Sequence, residues 1–189
     1  EGYTNEILNG DIHTANQKLA GLESRNQAKT FIYALLYGAG DAKLGSVAGR
    51  GREAGKKLRQ SFFDNLPSFK ALTGRVQREA KSGFVKALDG RKLTVRSDHA
   101  ALNTLLQGAG AIVMKQALII LDQKIKKHGW DAKFVANVHD EWQIECHVDD
   151  AVDVGKAGVQ AIREAGCMLN LNCPLDGEYK VGDNWSETH

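Results

Sequence analysis

The chain has 189 residues, enough for one domain or two small subdomains with a sizeable hydrophobic core. Its 25 Lys and Arg residues against 23 Asp and Glu residues give a formal net charge of +2, which excludes a polyanion mimic and a strongly basic nucleic-acid coat protein. Any contact with nucleic acid must therefore come from local patches of charge.

Membrane proteins and disulfide-stabilised proteins are excluded as well. The composition, 42% hydrophobic and 25% charged, is typical of a globular protein, and no run approaches the roughly 20 apolar residues that span a bilayer. We therefore expect no membrane partner. The cysteines are odd in number and lack metal-binding spacing, which indicates a reducing cytosol; they are Cys146, Cys167 and Cys173.

The first half of the chain has a helical pattern up to about Gly83. Ser24 followed by Gln27 is a capping box that opens a helix over about 25–37, which ends at the glycines of 38–40. A second helix is predicted over about 52–64. A third begins near Pro67 and ends near Gly83.

The second half mixes strands and helices. A tight hairpin is predicted from 84–88 and 92–95, because the intervening Asp89-Gly90 pair supplies a positive φ. An apolar helix over about 98–127, closed by Gly129, should be largely buried. Two alternating strands follow, over 133–138 and 142–148. An amphipathic helix then runs to about residue 165, and the tail over 173–189 is irregular.

One face of the helix over 25–37 carries cations and phenol rings. Each helical residue advances about 100°, so positions four apart form a drifting stripe, here Arg25, Lys29, Tyr33 and Tyr37. The predicted core face lies on another side and consists of Ala28, Phe31, Ile32 and Leu35. Cations at the positive end of a helix dipole favour a bound anion, for which His13 offers a further donor. The alternative is a solvated face whose cations extend into water.

An acidic turn, His139-Asp140-Glu141, separates the two strands over 133–138 and 142–148. One interpretation is a polar turn that only connects two apolar strands and keeps the connection soluble. The other is that the hairpin presents carboxylates to Mg²⁺, which prefers oxygen ligands and takes substrate phosphates as further ligands. In that case a second carboxylate must come from elsewhere.

Several segments together resemble motifs of the family A DNA polymerases. The segment 25–38 (RNQAKTFIYALLYG) resembles the fingers-helix motif of that family, and 138–141 (VHDE) resembles its palm hairpin. The segment 103–111 (NTLLQGAGA) is similar to its palm helix. The similarity covers nearly all of the chain. Further short motifs point to the replicative polymerases of T-odd coliphage-like podophages: 11–14 (DIHT), 88–92 (LDGRK), and 184–185 (NW) with His189.

The resemblance implies roles for named residues. Those implied to bind the incoming nucleotide are His13, Arg25, Lys29, Tyr33 beside the sugar, and Tyr37 beside the template-side base pair. Those implied at the catalytic centre are Asp140 as a metal ligand, Glu141 next to the metal, and His139 near the primer terminus. Primer-template contacts are implied for Asn103, Gln107 and His139. His99 departs from the pattern, because many bacterial members carry Arg there.

The resemblance also implies a two-metal phosphoryl transfer that needs a second carboxylate from an Asp-x-Ser-x-x-Glu segment. The 189 residues contain no such segment. Since residues 1–9 resemble the stretch that follows it, we expect the chain to begin downstream of that segment and to need a complementary fragment that carries it and the thumb. The stretch at 82–84 also looks shorter than in coliphage relatives.

The sequence therefore predicts an α+β fold with helical fingers over 1–85 and a C-terminal palm over 86–189, in which antiparallel hairpins pack on helices. The expected function is template-directed addition of deoxynucleoside monophosphates to a primer 3′ end. Expected partners are Mg²⁺, primer-template DNA and deoxynucleoside triphosphates, in the cytoplasm of an infected host. Two alternatives remain: a non-catalytic nucleotide or primer-template binding half of a split polymerase, and a structural protein with a vestigial resemblance.

Overall fold

The computed structural model describes residues 2–189 and has the mixed α+β fold that the sequence predicts. Its regular elements, in chain order, are α1 (Gly2–Asn9), α2 (Ile12–Ala20), α3 (Arg25–Leu36), α4 (Asp41–Val47), α5 (Arg52–Asn65), α6 (Pro67–Ala80), β1 (Phe84–Lys86), β2 (Lys92–Thr94), α7 (Ala101–His128), β3 (Ala132–Val138), β4 (Glu141–Cys146), α8 (Ala151–Met168) and α9 (Trp185–Thr188). Single 3₁₀ turns precede α7 and α8, at Asp98–Ala100 and Val148–Asp150. The chain divides into two compact units after Leu106, within α7.

The core of the first unit lies among α2, α3, α4 and α5. Phe31 on α3 meets Phe62 on α5 edge to face, with ring centroids 5.8 Å apart, and Phe69 packs on the other side of Phe62 at 5.9 Å. Such aromatic pairs add to the free energy gained from area burial. This core fixes the rotation of α3 about its axis and so decides which of its faces meets solvent.

The start of α3 follows the predicted capping box with one difference. The Gln27 N–H donates to Ser24 Oγ at 3.2 Å, as predicted. The returning arm, Gln27 Oε1, accepts from the Glu23 N–H at 3.2 Å rather than from that of Ser24. Both contacts give polar partners to groups at the helix start.

Helix α4 was not predicted from the sequence, because its local signals are weak. Gly40 at its N-cap provides no side-chain hydrogen bond, and the helix has only 7 residues. Tertiary packing stabilises it instead. A Cβ on Gly55 of α5 would overlap the Asp41 carbonyl oxygen, so the two backbones approach as closely as glycine allows.

The β1–β2 hairpin pairs Phe84 with Thr94 and Lys86 with Lys92, within the two predicted strand ranges. Gly90 in its turn has a φ of +86°. Val85 on this hairpin is buried beside Val76 of α6 and Ala101 of α7 in a second, smaller core of the first unit. The hairpin therefore caps the end of α6.

Helix α7 corrects two expectations. It is long and apolar enough, by length and composition alone, to cross a bilayer, with a mean hydropathy of 1.5 over its apolar window. The mean stays high because Leu, Ile, Val, Met and Ala outnumber the polar residues that interrupt the apolar run. The window is also only 22% buried, so the helix is not largely buried as expected. It packs at its first turn, on the core around Val85, and again through Leu121 and Ile125, on the core that it shares with α8.

The β3–β4 hairpin carries the acidic segment, and its ends differ from the prediction. Glu141 pairs with Val138 as the first residue of β4, so the tip consists of His139 and Asp140 alone. The register shifts between Phe134 and Ala136, which marks a β-bulge of the kind that bends strands near functional sites. Within residues 2–189 the hairpin pairs with no third strand.

Candidate nucleotide and metal site

The exposed face of α3 carries the predicted residues Arg25, Lys29, Tyr33 and Tyr37, here called the α3 stripe. The buried residues of α3 are Ala28, Phe31, Ile32 and Leu35, as predicted. Tyr33 and Tyr37 are 47% and 57% exposed, which is unusual for such large rings. The helix therefore presents two cations and two phenols to solvent over three turns.

The N-terminus of α2 adds His13 to this face. The ring centroids of His13 and Tyr33 lie 6.5 Å apart, with the rings tilted by 54°. His13 Nδ1 is buried and has no hydrogen-bond partner within residues 2–189. A buried ring nitrogen without a partner costs free energy.

Asp11 links α2 to the first residue of the α3 stripe. As the N-cap of α2, its Oδ1 accepts from the N–H groups of His13 at 3.0 Å and Thr14 at 3.4 Å. The Arg25 guanidinium donates to the same carboxylate through Nε at 2.6 Å and Nη2 at 3.3 Å. The Arg25 contact is the main reason that the pKa of Asp11 lies far below its usual value, and the pKa of Arg25 is raised in turn.

At the β3–β4 tip, His139 adopts a φ of +54°, a left-handed conformation that non-glycine residues rarely adopt. This turn holds Asp140 at the end of a rigid hairpin. Asp140 is exposed and makes no hydrogen bond or ion pair within residues 2–189. A positive φ is the usual conformation in a two-residue hairpin tip.

The carboxylate of Glu141, in contrast, contacts three side chains. Its Oε1 accepts from Gln143 Nε2 and, at 3.1 Å, from Trp185 Nε1, while its Oε2 lies 3.0 Å from His189 Nδ1. Hydrogen bonds from Gln143 first, and then from His189, hold the pKa of Glu141 below its usual value. The segment around α9 is thereby attached to the hairpin, through residues that the sequence marked only as part of the family resemblance.

The ligand set at the tip is incomplete as a metal site. Within residues 2–189 no three His, Cys, Asp or Glu side chains converge to hold a metal ion. A free carboxylate that no cation neutralises is nonetheless the donor that Mg²⁺ prefers. Asp140 therefore fits a magnesium ion as one ligand of several, whereas the carboxylate of Glu141 is already held by three side chains.

The remaining predicted residues lie on or before α7. Asn103 is half-buried and Gln107 is exposed, and their spacing of four residues places them on one face of the helix. His99, in the 3₁₀ turn, is exposed beside Arg78 and Lys81 in a shallow groove of the first unit. The α3 stripe and the hairpin tip belong to different compact units.

Comparisons with known proteins show the family to which the chain belongs. A sequence profile described as DNA polymerase family A matches residues 6–187. The DNA-directed DNA polymerases of Enterobacteria phage T3 and Escherichia phage T7 are each 46% identical over 209 aligned positions, which cover 99% of this chain and 30% of each relative. DNA polymerase I of Aquifex aeolicus is 33% identical over 87% of this chain and 30% of its own length.

A solved structure shares the fold. It is described as the POL domain of Pol1 from M. smegmatis in complex with DNA primer-template and dNTP. It matches with a TM-score of 0.78 and 23% identity over 87% of this chain and 33% of that chain. The chain thus belongs to DNA polymerase family A, and phage polymerases are among its relatives, which confirms the resemblance inferred from the motifs. It spans about a third of the length of the phage polymerases and of the solved structure named here.

Proposed function

We propose that this chain is the fingers and C-terminal palm portion of a DNA-directed DNA polymerase, with the subdomains divided near residue 85. The observation that carries the proposal is the α3 stripe, in which two cations and two exposed phenols share one face of the helix and the ring of His13 lies 6.5 Å from that of Tyr33. In this account the polymerase adds deoxynucleoside monophosphates to a primer 3′ end.

The first half of the stripe suits the triphosphate. Arg25 and Lys29 are exposed in the first two turns of α3. The carboxylate of Asp11 already neutralises Arg25 at the helix start, whereas Lys29 has no anionic partner within residues 2–189. His13 brings one further polar group to the same face. Charge-assisted hydrogen bonds to phosphate oxygens are stronger than neutral ones and neutralise the charge that moves during phosphoryl transfer.

The second half of the stripe suits the sugar and the base. Tyr33 follows Lys29 by one turn and lies near His13, so a triphosphate held there brings its sugar to the phenol. Tyr37 is one turn further along and offers a flat apolar surface with one polar atom, which fits packing beside a base pair.

The hairpin tip supplies a carboxylate for magnesium. When bound, Mg²⁺ neutralises phosphate charge and aligns the attacking and leaving oxygens of the displacement. We assign Asp140 as a ligand of that ion and His139, beside it, to the primer terminus. Since the 189 residues contain no Asp-x-Ser-x-x-Glu segment, the other protein carboxylate of a two-metal site is proposed to come from a complementary polymerase fragment.

The primer-template duplex is proposed to contact Asn103 and Gln107. Their amides both donate and accept hydrogen bonds, which suits the minor-groove acceptors that all base pairs share. Such contacts test the shape of the duplex without reading its sequence. The site of action would be the cytoplasm of an infected bacterial host, as for a replicative phage polymerase.

The direct test of the nucleotide site is triphosphate binding by Arg25→Ala and Lys29→Ala variants of the chain. Each variant should lose about 1.5 to 3 kcal/mol of binding free energy for a deoxynucleoside triphosphate, the scale of a hydrogen bond to a charged group. Lys57→Ala, which removes an exposed cation from α5, is the matched control and should bind normally. If both stripe variants bound triphosphate normally but lost affinity for duplex DNA, the stripe would be a clamp for the DNA backbone.

A further inference from the structure

The N-cap of α2 is placed to control the geometry of the first residue of the α3 stripe. Asp11 and Arg25 are 14 residues apart in the chain and are joined by two hydrogen bonds, of 2.6 and 3.3 Å. The carboxylate also accepts from the Thr14 hydroxyl at 2.8 Å, in addition to its two bonds to the start of α2. The hydrogen bonds to the start of α2 therefore fix the position of the Asp11 carboxylate independently of Arg25.

The pair contributes little to folding stability. Both side chains are about half exposed, at 52% for Arg25 and 42% for Asp11. Ion pairs at such positions contribute little, because water screens them and two side chains lose rotamer freedom. Its effect is greater on the direction of the guanidinium, which would otherwise sample many rotamers.

The geometry of the contact leaves part of Arg25 free for a ligand. A guanidinium carries five N–H donors in a fixed plane, and Asp11 engages the edge formed by Nε and Nη2. The Nη1 group, and the second N–H of Nη2, remain available on the other edge. A planar donor array held by a carboxylate on one edge is pre-organised for phosphate oxygens on the other.

We propose that Asp11 is a positioning residue for triphosphate binding, which holds Arg25 by one edge so that the opposite edge meets the phosphates. The inference rests on the proposed function of Arg25 and extends it to a residue that touches no substrate. It makes a prediction opposite in sign to simple electrostatics. Removing a negative charge beside a triphosphate site should strengthen binding by charge alone. Loss of the fixed orientation of the Arg25 guanidinium should weaken it.

The test is titration of inorganic tripolyphosphate into the full 189-residue chain and its Asp11→Asn variant. Asparagine keeps one oxygen that can cap α2. At the position of the carboxylate oxygen that accepts the 2.6 Å bond from Arg25 Nε, it places an NH2 group, which donates and cannot accept. We expect the dissociation constant to rise about tenfold, the scale of one hydrogen bond to a charged group. Asp64→Asn is the matched control, since it neutralises an exposed carboxylate paired with Lys70, and it should change affinity less than about twofold.

A double-mutant cycle separates positioning from a general structural effect. If Asp11 acts through Arg25, the variant carrying both Asp11→Asn and Arg25→Ala should bind no more weakly than Arg25→Ala alone. Additive losses would overturn the proposal, as would unchanged or tighter binding by Asp11→Asn. Asp11→Ser, which also caps helices, replaces Asp11→Asn if the latter lowers the unfolding temperature. Normal binding by Arg25→Ala would instead contradict the proposed function.

Discussion

Gly38 lies directly against the backbone of His99. A Cβ placed on Gly38 would overlap the carbonyl oxygen of His99, and the residue has a φ of +77°. The chain can therefore leave α3 after Tyr37 only because position 38 has no side chain. The contact ties the end of the α3 stripe to the 3₁₀ turn at Asp98–Ala100.

Gly38→Ala should be strongly destabilising. The left-handed conformation costs a non-glycine residue roughly 1 to 2 kcal/mol, and the overlap with His99 adds to that cost because backbone atoms must move. We expect a loss of at least about 2 kcal/mol in the free energy of unfolding, measured by urea denaturation. Gly40→Ala is the control, because nothing lies within 4 Å of a Cβ there and its φ is −72°. Equal losses of unfolding free energy in the two variants would show that the contact with His99 does not restrict position 38 to glycine.

The carboxyl of Asp11 should titrate far below its usual pKa of about 3.8. The hydrogen bond from Arg25 is the main cause, so Arg25→Ala should move the pKa of Asp11 upward, toward the usual value. The measurement is a carbon-detected NMR titration of the Asp11 side chain in both proteins. An ordinary pKa in the unmodified chain would show that the pair does not persist in solution.

The same shift predicts the direction of a stability change with pH. A carboxyl whose pKa is lower in the folded state than in the unfolded state stabilises the fold above the usual Asp pKa. That contribution is lost as the pH falls from about 3.8 through the folded-state pKa. The difference in unfolding free energy between the chain and Asp11→Asn should therefore shrink as the solution is acidified below about pH 4. An increase in that free-energy difference as the pH falls would contradict the prediction.

Tyr33→Phe should raise discrimination against dideoxynucleotides. The phenol can donate to a phosphate oxygen when the substrate lacks its own 3′ hydroxyl, and phenylalanine cannot. Losing one hydrogen bond to a charged group corresponds to roughly 10- to 100-fold in relative incorporation. The assay is competitive primer extension by a chimera of the phage T7 polymerase in which this chain replaces the matching 30% (the T7 chimera).

Tyr37→Phe in the T7 chimera is the control for that experiment. It removes the other exposed phenol hydroxyl of the stripe, one turn further along α3. It should leave the ratio of dideoxynucleotide to deoxynucleotide incorporation unchanged. An unchanged ratio for Tyr33→Phe as well would remove Tyr33 from the sugar-binding position.

The features that were predicted from the sequence are those determined by residues close together in the chain. Ser24 and Gln27 mark the start of α3, and the spacing of Phe31 and Leu35 defines its buried face, so both are confirmed. The Asp89-Gly90 turn likewise fixes the β1–β2 hairpin. In each case the deciding residues lie within about four positions of one another.

The features that were missed depend on contacts distant in the chain. Helix α4 exists because Gly45 and Gly55 allow α5 to approach it, and no capping signal reveals this. The pairing of Asp11 with Arg25 spans 14 residues, and that of Glu141 with Trp185 spans 44. Glu141 was placed in a turn because acidic residues usually interrupt strands, whereas its bonds to α9 and Gln143 allow it to begin β4.

The central claim is that α3 binds the incoming nucleotide and that the β3–β4 tip binds the metal ion of a DNA polymerase. The measurement that tests it most directly is templated single-nucleotide primer extension by the T7 chimera, with and without Asp140→Asn, in the presence of Mg²⁺. The account predicts extension by the chimera and a loss of at least about 10³-fold in Asp140→Asn, because a phosphoryl-transfer site depends on correctly placed metal charge. Glu145→Gln, an exposed acid on the same hairpin, should retain activity, and both variants should unfold at the temperature of the parent. Full extension by Asp140→Asn, or no extension by a folded chimera that still binds primer-template, would contradict the account.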